Sequence, residues 1–169
     1  MSDILGGLTF QKAQTEKSPA AGGRFIMAYD AIVQREGGKT NIRDAVIIDM
    51  DSLTASLKQN PTPASMDIAL IVADTSKKYK YLLADFKLNV TSPRSIKANV
   101  PNTSIREKFN FSRNYIEQKD REIQCINIAF FIFKDKQFQQ IRNAWQRRNL
   151  NNPKHKAICQ SAFESIFSN

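Results

Sequence analysis

The sequence contains little that could hold a small protein together through covalent bonds or a metal. Its 169 residues include two cysteines, Cys125 and Cys159, and a single histidine, His155. Neither cysteine lies in a Cys-x-x-Cys pair or beside a cluster of histidines, so a structural zinc site is not predicted. Both cysteines lie in apolar patterns, and we expect two buried, reduced thiols, as in a cytoplasmic protein.

Long hydrophobic runs are also missing. The longest uninterrupted apolar stretch is Ile68–Ala73, whereas a membrane-spanning helix needs about 20 residues. The first residues, MSDILGGLTF, carry no basic region ahead of their few apolar residues, so no targeting segment is predicted. We therefore expect a cytoplasmic protein with no membrane partner.

Glycine and proline are scarce, at six residues each, and the proportions of 41% hydrophobic and 24% charged residues are those of a globular protein. A chain of this length can bury enough surface to fold without a disulfide or a metal. Residues 1–22 mix small and polar residues, which predicts a loosely ordered N-terminal arm. We expect residues 23–169 to form a single α/β domain.

Positive charge is concentrated in the second half of the sequence. The formal net charge is +9; residues 1–84 carry 10 basic and 9 acidic side chains, whereas residues 85–169 carry 15 and 7. Such an imbalance favours a polyanionic partner, with nucleic acid first and an anionic membrane surface second. The alternative is that the basic residues only keep the protein in solution.

Hydrophobic periodicity divides the domain into helices and strands. Apolar residues from Phe25 to Val33 recur at helical spacing and end at Glu36-Gly37-Gly38, which predicts the first helix. The later elements are strands at 45–50, 66–73, 79–88 and 125–133, a helical turn at 52–59, and helices at 103–119, around 138–145 and around 158–166. The late strand-helix-strand passage predicts a central mixed β-sheet flanked by helices on both faces.

The two central strands predict a hairpin that brings two carboxylates together. If the turn is centred near Ser76, Asp67 and Asp85 lie equally far from the centre and face each other. Lys87 follows Asp85 by two residues and therefore lies on the same face. The opposite face is apolar and consists of Ile68, Leu70, Val72, Leu82, Ala84, Phe86 and Leu88.

Facing carboxylates point to a cation. They repel each other, which raises one pKa or requires a positive ion between them. Mg²⁺ prefers oxygen ligands and keeps several waters, so it suits such a pair. The ion would polarise a phosphoryl oxygen and lower the pKa of a bound water, while Lys87 could orient that water or neutralise charge in the transition state.

The pattern Pro63-x-x-x-Asp67 followed by Asp85-Phe86-Lys87 resembles the PD-(D/E)XK motif of restriction-endonuclease-like phosphodiesterases. The resemblance covers residues 24–133 and implies a restriction-endonuclease-like fold with the core order helix-strand-strand-strand-helix-strand. The sequence departs from the family pattern at one point. The proline of the family usually precedes the aspartate directly, whereas three residues separate Pro63 from Asp67 here.

The resemblance also implies roles for individual residues. Asp67 and Asp85 would bind Mg²⁺, or Mn²⁺ in its place, and the backbone carbonyl of Phe86 would add a ligand. Lys87 would be catalytic.

Other acidic residues compete for a place in this site. Members of the family often add an acidic residue from the first helix, for which Glu36 is the first candidate and Asp30 the second. Asp49 and Asp51 are rival carboxylates. With no basic residue two positions later, we interpret them as strand-end and turn residues.

Basic residues of the second half would hold the backbone of a nucleic acid. His155, in what reads as a polar loop, would at most add a phosphate contact. The candidate nucleic-acid-binding residues are Arg106, Arg113, Arg142, Arg147, Arg148, Lys154 and Lys156.

Together these observations predict a Mg²⁺-dependent nuclease that hydrolyses phosphodiester bonds in DNA or RNA, with DNA as the expected partner. Cutting both strands of a duplex often needs two active sites, which leaves a homodimer as an open alternative. A rival interpretation is a non-catalytic nucleic-acid-binding or protein-interaction module of the same fold. A small effector or toxin nuclease would share the chemistry and differ only in its biology.

Overall fold

The computed structural model describes residues 5–99, 102–148 and 154–168, with the side chains of 97–99 and 102–104 excepted. The strands in chain order are β1 (Thr9–Phe10), β2 (Ile26–Ala28), β3 (Val46–Asp49), β4 (Ile68–Ala73), β5 (Tyr79–Phe86), β6 (Cys125–Phe133) and β7 (His155–Cys159). The helices are α1 (Lys12–Glu16), α2 (Tyr29–Arg35), α3 (Met50–Ser56), α4 (Pro93–Asn99), α5 (Asn102–Lys119), α6 (Phe138–Arg148), α7 (Gln160–Glu164) and a final 3₁₀ turn (Ser165–Phe167).

Within the described residues the strands form one seven-stranded mixed sheet. Its spatial order is β2-β3-β4-β5-β6-β7, and β1 pairs with β4 outside this path. The strands from β2 to β5 are antiparallel, whereas β5, β6 and β7 are parallel. The crossover between β5 and β6 contains α5, because parallel neighbours need a long connection. The predicted α/β class with a mixed sheet is thus confirmed.

Helices cover both faces of the sheet. On the α5 face, Ile116 and Trp145 pack against side chains such as Phe131. On the α2 face, Ile32 and Phe163 pack against the apolar side chains of the central hairpin. All six residues of β4 are buried, so the strand that precedes the predicted hairpin turn is enclosed from both sides. No helix in the described ranges is long and apolar enough to cross a membrane.

The first predicted helix is shorter than expected. Ile26–Ala28 forms β2 and pairs with β3, and the helix starts only at Tyr29. Phe25 has a positive φ of 63°, which a right-handed helix cannot contain. The chain therefore turns at Phe25 and adds a strand to the sheet edge before it can begin a helix.

The C-terminal strand β7 is a second correction. The sequence predicted a polar loop around His155, yet His155–Cys159 pairs in parallel with Ala129–Phe133. The lysines on both sides of His155 made this segment look like a polar loop in the sequence. An edge strand is paired on one side only and therefore tolerates such charged residues. Cys125 is buried as predicted, whereas Cys159, at the end of β7, is partly exposed.

The N-terminal segment differs most from the prediction. Its described part, residues 5–22, is not loosely held: Leu5 is 1% exposed, and Thr15 and Ser18 are buried as well. The Thr15 hydroxyl accepts a hydrogen bond from the backbone N–H of Ile71 at 3.0 Å. The apolar residues of this segment are spaced too irregularly to predict a helix or a strand, yet the structure buries them against the sheet.

Replacing Leu5 with alanine tests this packing. We expect Leu5→Ala to lower the free energy of unfolding by about 2–5 kcal/mol, because truncation of a buried leucine loses apolar contacts and leaves a cavity. Urea denaturation measures the change. Lys17→Ala, at an exposed position of the same segment, is the matched control. Equal stability of the two variants would support a loosely ordered N-terminal arm instead.

Candidate functional site

Acidic residues from four elements converge at one end of the central strands. At this end β3 finishes at Asp49, β4 begins directly after Asp67, and β5 finishes directly after Asp85. The helix α2 starts at the opposite end of the strands and runs back, so Glu36 follows its last turn at the same end as these residues. Antiparallel pairing therefore brings residues far apart in sequence to one place.

The register of the β4–β5 hairpin agrees with the prediction. Ile68 pairs with Ala84, which sets Asp67 opposite Asp85 one position further along. The exposed fractions are 8% for Asp67 and zero for Asp85. The backbone N–H of Phe86 donates a hydrogen bond to Asp67 Oδ2 at 2.6 Å, so the end of β5 holds the Asp67 carboxyl group in position.

A cluster of three acidic side chains surrounds this pair. One carboxylate oxygen each from Glu36, Asp51 and Asp67 lie within 4.8 Å of one another. The sequence-based candidate Glu36 therefore does lie beside Asp67. The second candidate, Asp30, instead pairs with Arg43 at 3.1 Å.

Asp51 is the residue that our interpretation of the sequence placed wrongly. It lies in the first turn of α3, which begins at the end of β3 and so projects Asp51 towards Asp67. Asp49, by contrast, is the strand-end residue that was predicted. Its side chain accepts the N–H of Ser52 at 3.3 Å as the helix cap and pairs with Arg35 at 2.9 Å. Asp51 lies two residues after the end of the buried strand β3, in the first turn of a helix, and this position was the signal that the sequence offered.

Two lysines contact the buried Asp85 carboxylate. Lys87 Nζ donates a hydrogen bond to Asp85 Oδ2, as the shared face predicted. Lys108 Nζ, from α5, lies 3.4 Å from Oδ1 and 3.5 Å from Oδ2. Lys108 was not predicted from the sequence; the available signal was its position one turn before the buried Ser112 on an otherwise apolar helix face.

The helix α5 is fixed against the site by Ser112. Its hydroxyl accepts the backbone N–H of Met66 at 2.9 Å, directly before Asp67. On the other side, Ser65 Oγ donates to Asp51 Oδ1 at 3.3 Å. The segment that leads into β4 is therefore held between α5 and α3, which keeps the acidic residues in register.

The electrostatics of the cluster are uneven. Burial raises the pKa of Asp67 to about 9, and the neighbouring Asp85 and Asp51 carboxylates add to this effect. Burial also raises the pKa of Asp51, although Arg35 opposes the shift. The pKa of Asp85 is lowered instead: burial opposes its ionisation, but Lys87 and Lys108 outweigh that cost. Asp67 is therefore protonated at neutral pH and donates a hydrogen bond to the charged Asp85.

This donor set fits a hard divalent cation. All the side-chain ligands on offer are carboxylate oxygens, which Mg²⁺ and Mn²⁺ prefer. Burial and, after it, the neighbouring carboxylates raise the pKa values of Asp51 and Asp67, and a bound cation would favour their charged forms. The side chain of Phe86 is buried beside Tyr29, and the ligand role of its carbonyl stays a prediction.

The predicted nucleic-acid-binding residues are in several different environments. Arg113 pairs with Glu117 at 3.3 Å and donates to Asn127 Oδ1 at 2.8 Å, and Arg148 donates to the carbonyl of Ile96 at 2.6 Å. These two guanidinium groups thus have partners within the protein. Arg106, Arg147 and Lys154 are exposed, and Arg142 and Lys156 are partly buried.

Comparison of the chain with protein-family models, curated proteins and solved structures found no match.

Proposed function

We propose that the protein is a Mg²⁺-dependent nuclease of restriction-endonuclease-like fold that hydrolyses phosphodiester bonds in nucleic acid, with DNA as the expected substrate. The observation that carries the proposal is the group of Asp67, Asp85 and Lys87 on the central hairpin, with Glu36 and Asp51 beside it. Carboxylates and a lysine buried together at one end of the central strands lower the stability of the fold, because burial of each charge is unfavourable. A purely structural role does not explain such a group.

The order of elements supports the same fold. The order α2-β3-α3-β4-β5-α4-α5-β6 contains the helix-strand-strand-strand-helix-strand order that the resemblance implies, with the seven-residue helices α3 and α4 as insertions, and the last two strands are parallel. Asp67 precedes the second of these strands and Asp85 lies near the end of the third. The motif and the topology therefore support one interpretation.

Each side chain has a task in this reaction. Asp67, Asp85, Glu36 and Asp51 would hold the cation, which when bound polarises a phosphoryl oxygen and lowers the pKa of a nearby water. Lys87, whose ammonium group donates a hydrogen bond to Asp85, would stabilise the negative charge that develops on the phosphoryl group. Burial lowers the pKa of Lys108, but the surrounding carboxylates outweigh this effect and raise it. Lys108 therefore stays positively charged and helps to keep Asp85 ionised.

Cleavage assays test the proposal. The purified protein would be incubated with supercoiled plasmid, single-stranded DNA and RNA in Mg²⁺ or Mn²⁺, beside samples in EDTA. We expect cleavage that EDTA abolishes. Metal-independent, salt-sensitive binding without cleavage of any substrate would contradict the proposal and favour the non-catalytic module.

Proton release on cation binding provides a second prediction. Because the pKa of Asp67 is raised to about 9, a cation that binds its carboxylate at pH 7 must displace a proton. We expect about one proton to be released per bound ion. Calorimetric titration with Mn²⁺ in two buffers of different ionisation enthalpy measures this number, and equal heats in both buffers would contradict it.

A further inference from the structure

A row of four side chains follows one flank of α5, from the acidic residues towards the end of the helix. Its members are Lys108, Phe111, Tyr115 and Lys119. Spacings of three and four residues place each of them beside the next on the helix surface. At 1.5 Å per residue, this α5 row is about 16 Å long.

The α5 row begins at the proposed active site. Lys108 Nζ lies 3.4 Å from Asp85 Oδ1, so this flank of α5 faces the acidic residues. Phe111 follows Lys108 by three residues, and the Cβ atoms of side chains at this spacing are about 5–6 Å apart. The aromatic part of the row is therefore next to a side chain that contacts Asp85, on the face of the sheet that α5 covers.

The side chains of the row are ordered by contacts with one another. The ring centroids of Phe111 and Tyr115 are 6.2 Å apart, and an angle of 28° between the ring planes makes this a stacked pair. Lys119 Nζ lies 5.7 Å from the centroid of the Tyr115 ring, which is a cation–π distance. Two rings and an ammonium group thus form one continuous layer along the helix.

This layer is open to solvent. Both rings are partly exposed, and Lys119 is exposed. Tyr115 packs against the core under α5, whereas Phe111 packs against neither core cluster in the described part of the chain. Within the same residues, Lys119 forms no ion pair. The Phe111 ring and the Lys119 ammonium group are therefore accessible to a binding partner.

An aromatic stack that lies between two lysines favours a strand of nucleic acid as this partner. Bases stack on aromatic rings whatever their sequence, and ammonium groups attract the phosphates. The charge of the chain is complementary to such a strand, because residues 85–169 carry 15 basic and 7 acidic side chains. The bases of a duplex present only their edges in the grooves, so stacking on Phe111 requires an unpaired base.

We propose that the α5 row binds an unpaired stretch of the substrate strand, with one base stacked on Phe111 and a neighbouring phosphate on Lys119. The inference rests on the proposed function and names its substrate class as single-stranded or locally unpaired nucleic acid. Because the row starts at Lys108, a strand bound along it leads to the acidic residues Asp67 and Asp85.

Binding measured without cleavage tests the proposal. Fluorescence anisotropy in EDTA would compare a short single-stranded oligothymidylate with a duplex of the same length, and we expect the parent to bind the single strand more tightly. Phe111→Ala should bind the single strand at least fivefold more weakly, because it removes one base-stacking ring. Phe111→Tyr keeps a ring and should bind as the parent does.

Phe10→Ala is the matched control for the loss of a ring. Phe10 is also partly buried and in contact with another ring, that of Phe167 at 5.0 Å, but it packs on the opposite face of the sheet. We expect this variant to keep the parental affinity for the single strand. The melting temperature of each variant would be measured in the same buffer, so that binding is compared only between folded proteins.

The salt dependence of binding tests the phosphate contact separately. Lys119→Gln should reduce the slope of log affinity against log salt by about 0.7, the value for one phosphate contact on a single strand. Lys39→Gln is its matched control, since Lys39 is an exposed lysine in the loop after α2, on the other face of the sheet. It should leave the slope unchanged.

Three results would overturn the proposal: parental single-strand affinity in Phe111→Ala, an equal loss in Phe111→Tyr, or tighter binding of the duplex by the parent. Because the assay contains no metal, its result is independent of cleavage. A parent that cleaves nothing but loses single-strand binding in Phe111→Ala would support the α5 row and contradict the nuclease. Cleavage that EDTA abolishes, together with unchanged binding by Phe111→Ala, would support the nuclease and contradict the α5 row.

Discussion

Asp67→Asn is expected to abolish stabilisation by Mg²⁺ or Mn²⁺ while leaving the metal-free protein folded. The amide can copy both contacts of the protonated acid, because its oxygen can accept the N–H of Phe86 and its NH₂ can donate to Asp85. It cannot supply a negatively charged ligand. At an ion concentration of 100 times Kd, the parent should gain about 2.7 kcal/mol and the variant close to none.

The same substitution should change the pH dependence of stability. The pKa of Asp67 rises from 3.8 in the unfolded chain to about 9 in the folded protein, so the folded protein binds one more proton between these values. The contribution of Asp67 to the stability of the metal-free parent therefore falls as pH rises from about 4 to 9. Asp67→Asn lacks this slope and should become the more stable protein at pH 8 to 9. Thermal denaturation in EDTA across this range measures both curves.

Asp44→Asn is the matched control for the loss of one carboxylate. Asp44 has a side chain that is 92% exposed, and its salt-bridge partner is Lys12 rather than any residue of the acidic cluster. We expect this variant to keep the full response to Mg²⁺ and the downward slope with pH. A metal response retained by Asp67→Asn would show that the carboxyl group is not a ligand, and the proposed site would then be wrong.

The hairpin could be predicted because its determinants are local. A polar turn near Ser76 fixes the register of β4 against β5, and a slip of one residue would place Asp67 and Asp85 on opposite faces of the sheet. The pairing of Ile68 with Ala84 follows from this pattern. The same logic explains why the buried face of α5, with Ile105, Phe109 and Ile116, was predictable from helical spacing.

The missing members of the site depend on contacts between distant elements. Asp51 reaches Asp67 only because β3 pairs with β4 and α3 begins where β3 ends. Lys108 reaches Asp85 only because the crossover lays α5 over the hairpin. Periodicity within one segment carries no information about such docking. For the same reason, residues 5–22 looked loosely held although Leu5 is buried in the core.

Lys87→Met is expected to reduce cleavage by about 10²–10³-fold while preserving the fold and the response to metal. Removal of one preorganised group that stabilises transition-state charge commonly has an effect of this size. Asp85 keeps Lys108 as a cationic partner in the variant, so its buried carboxylate is not left without compensation. Single-turnover cleavage rates and the shift of the melting temperature by Mn²⁺ would be measured on the same sample.

Lys80→Met is the matched control, because Lys80 is in the same strand and is partly exposed, but pairs with Val72 near the turn. It should cleave at the parental rate. Lys108→Met separates the two lysines: Lys87 still pairs with Asp85 in this variant, so the rate at saturating metal should stay close to that of the parent. Equal losses of rate at saturating metal in Lys87→Met and Lys108→Met would contradict this division, since both lysines would then act on the reacting phosphate rather than on the ligand carboxylate.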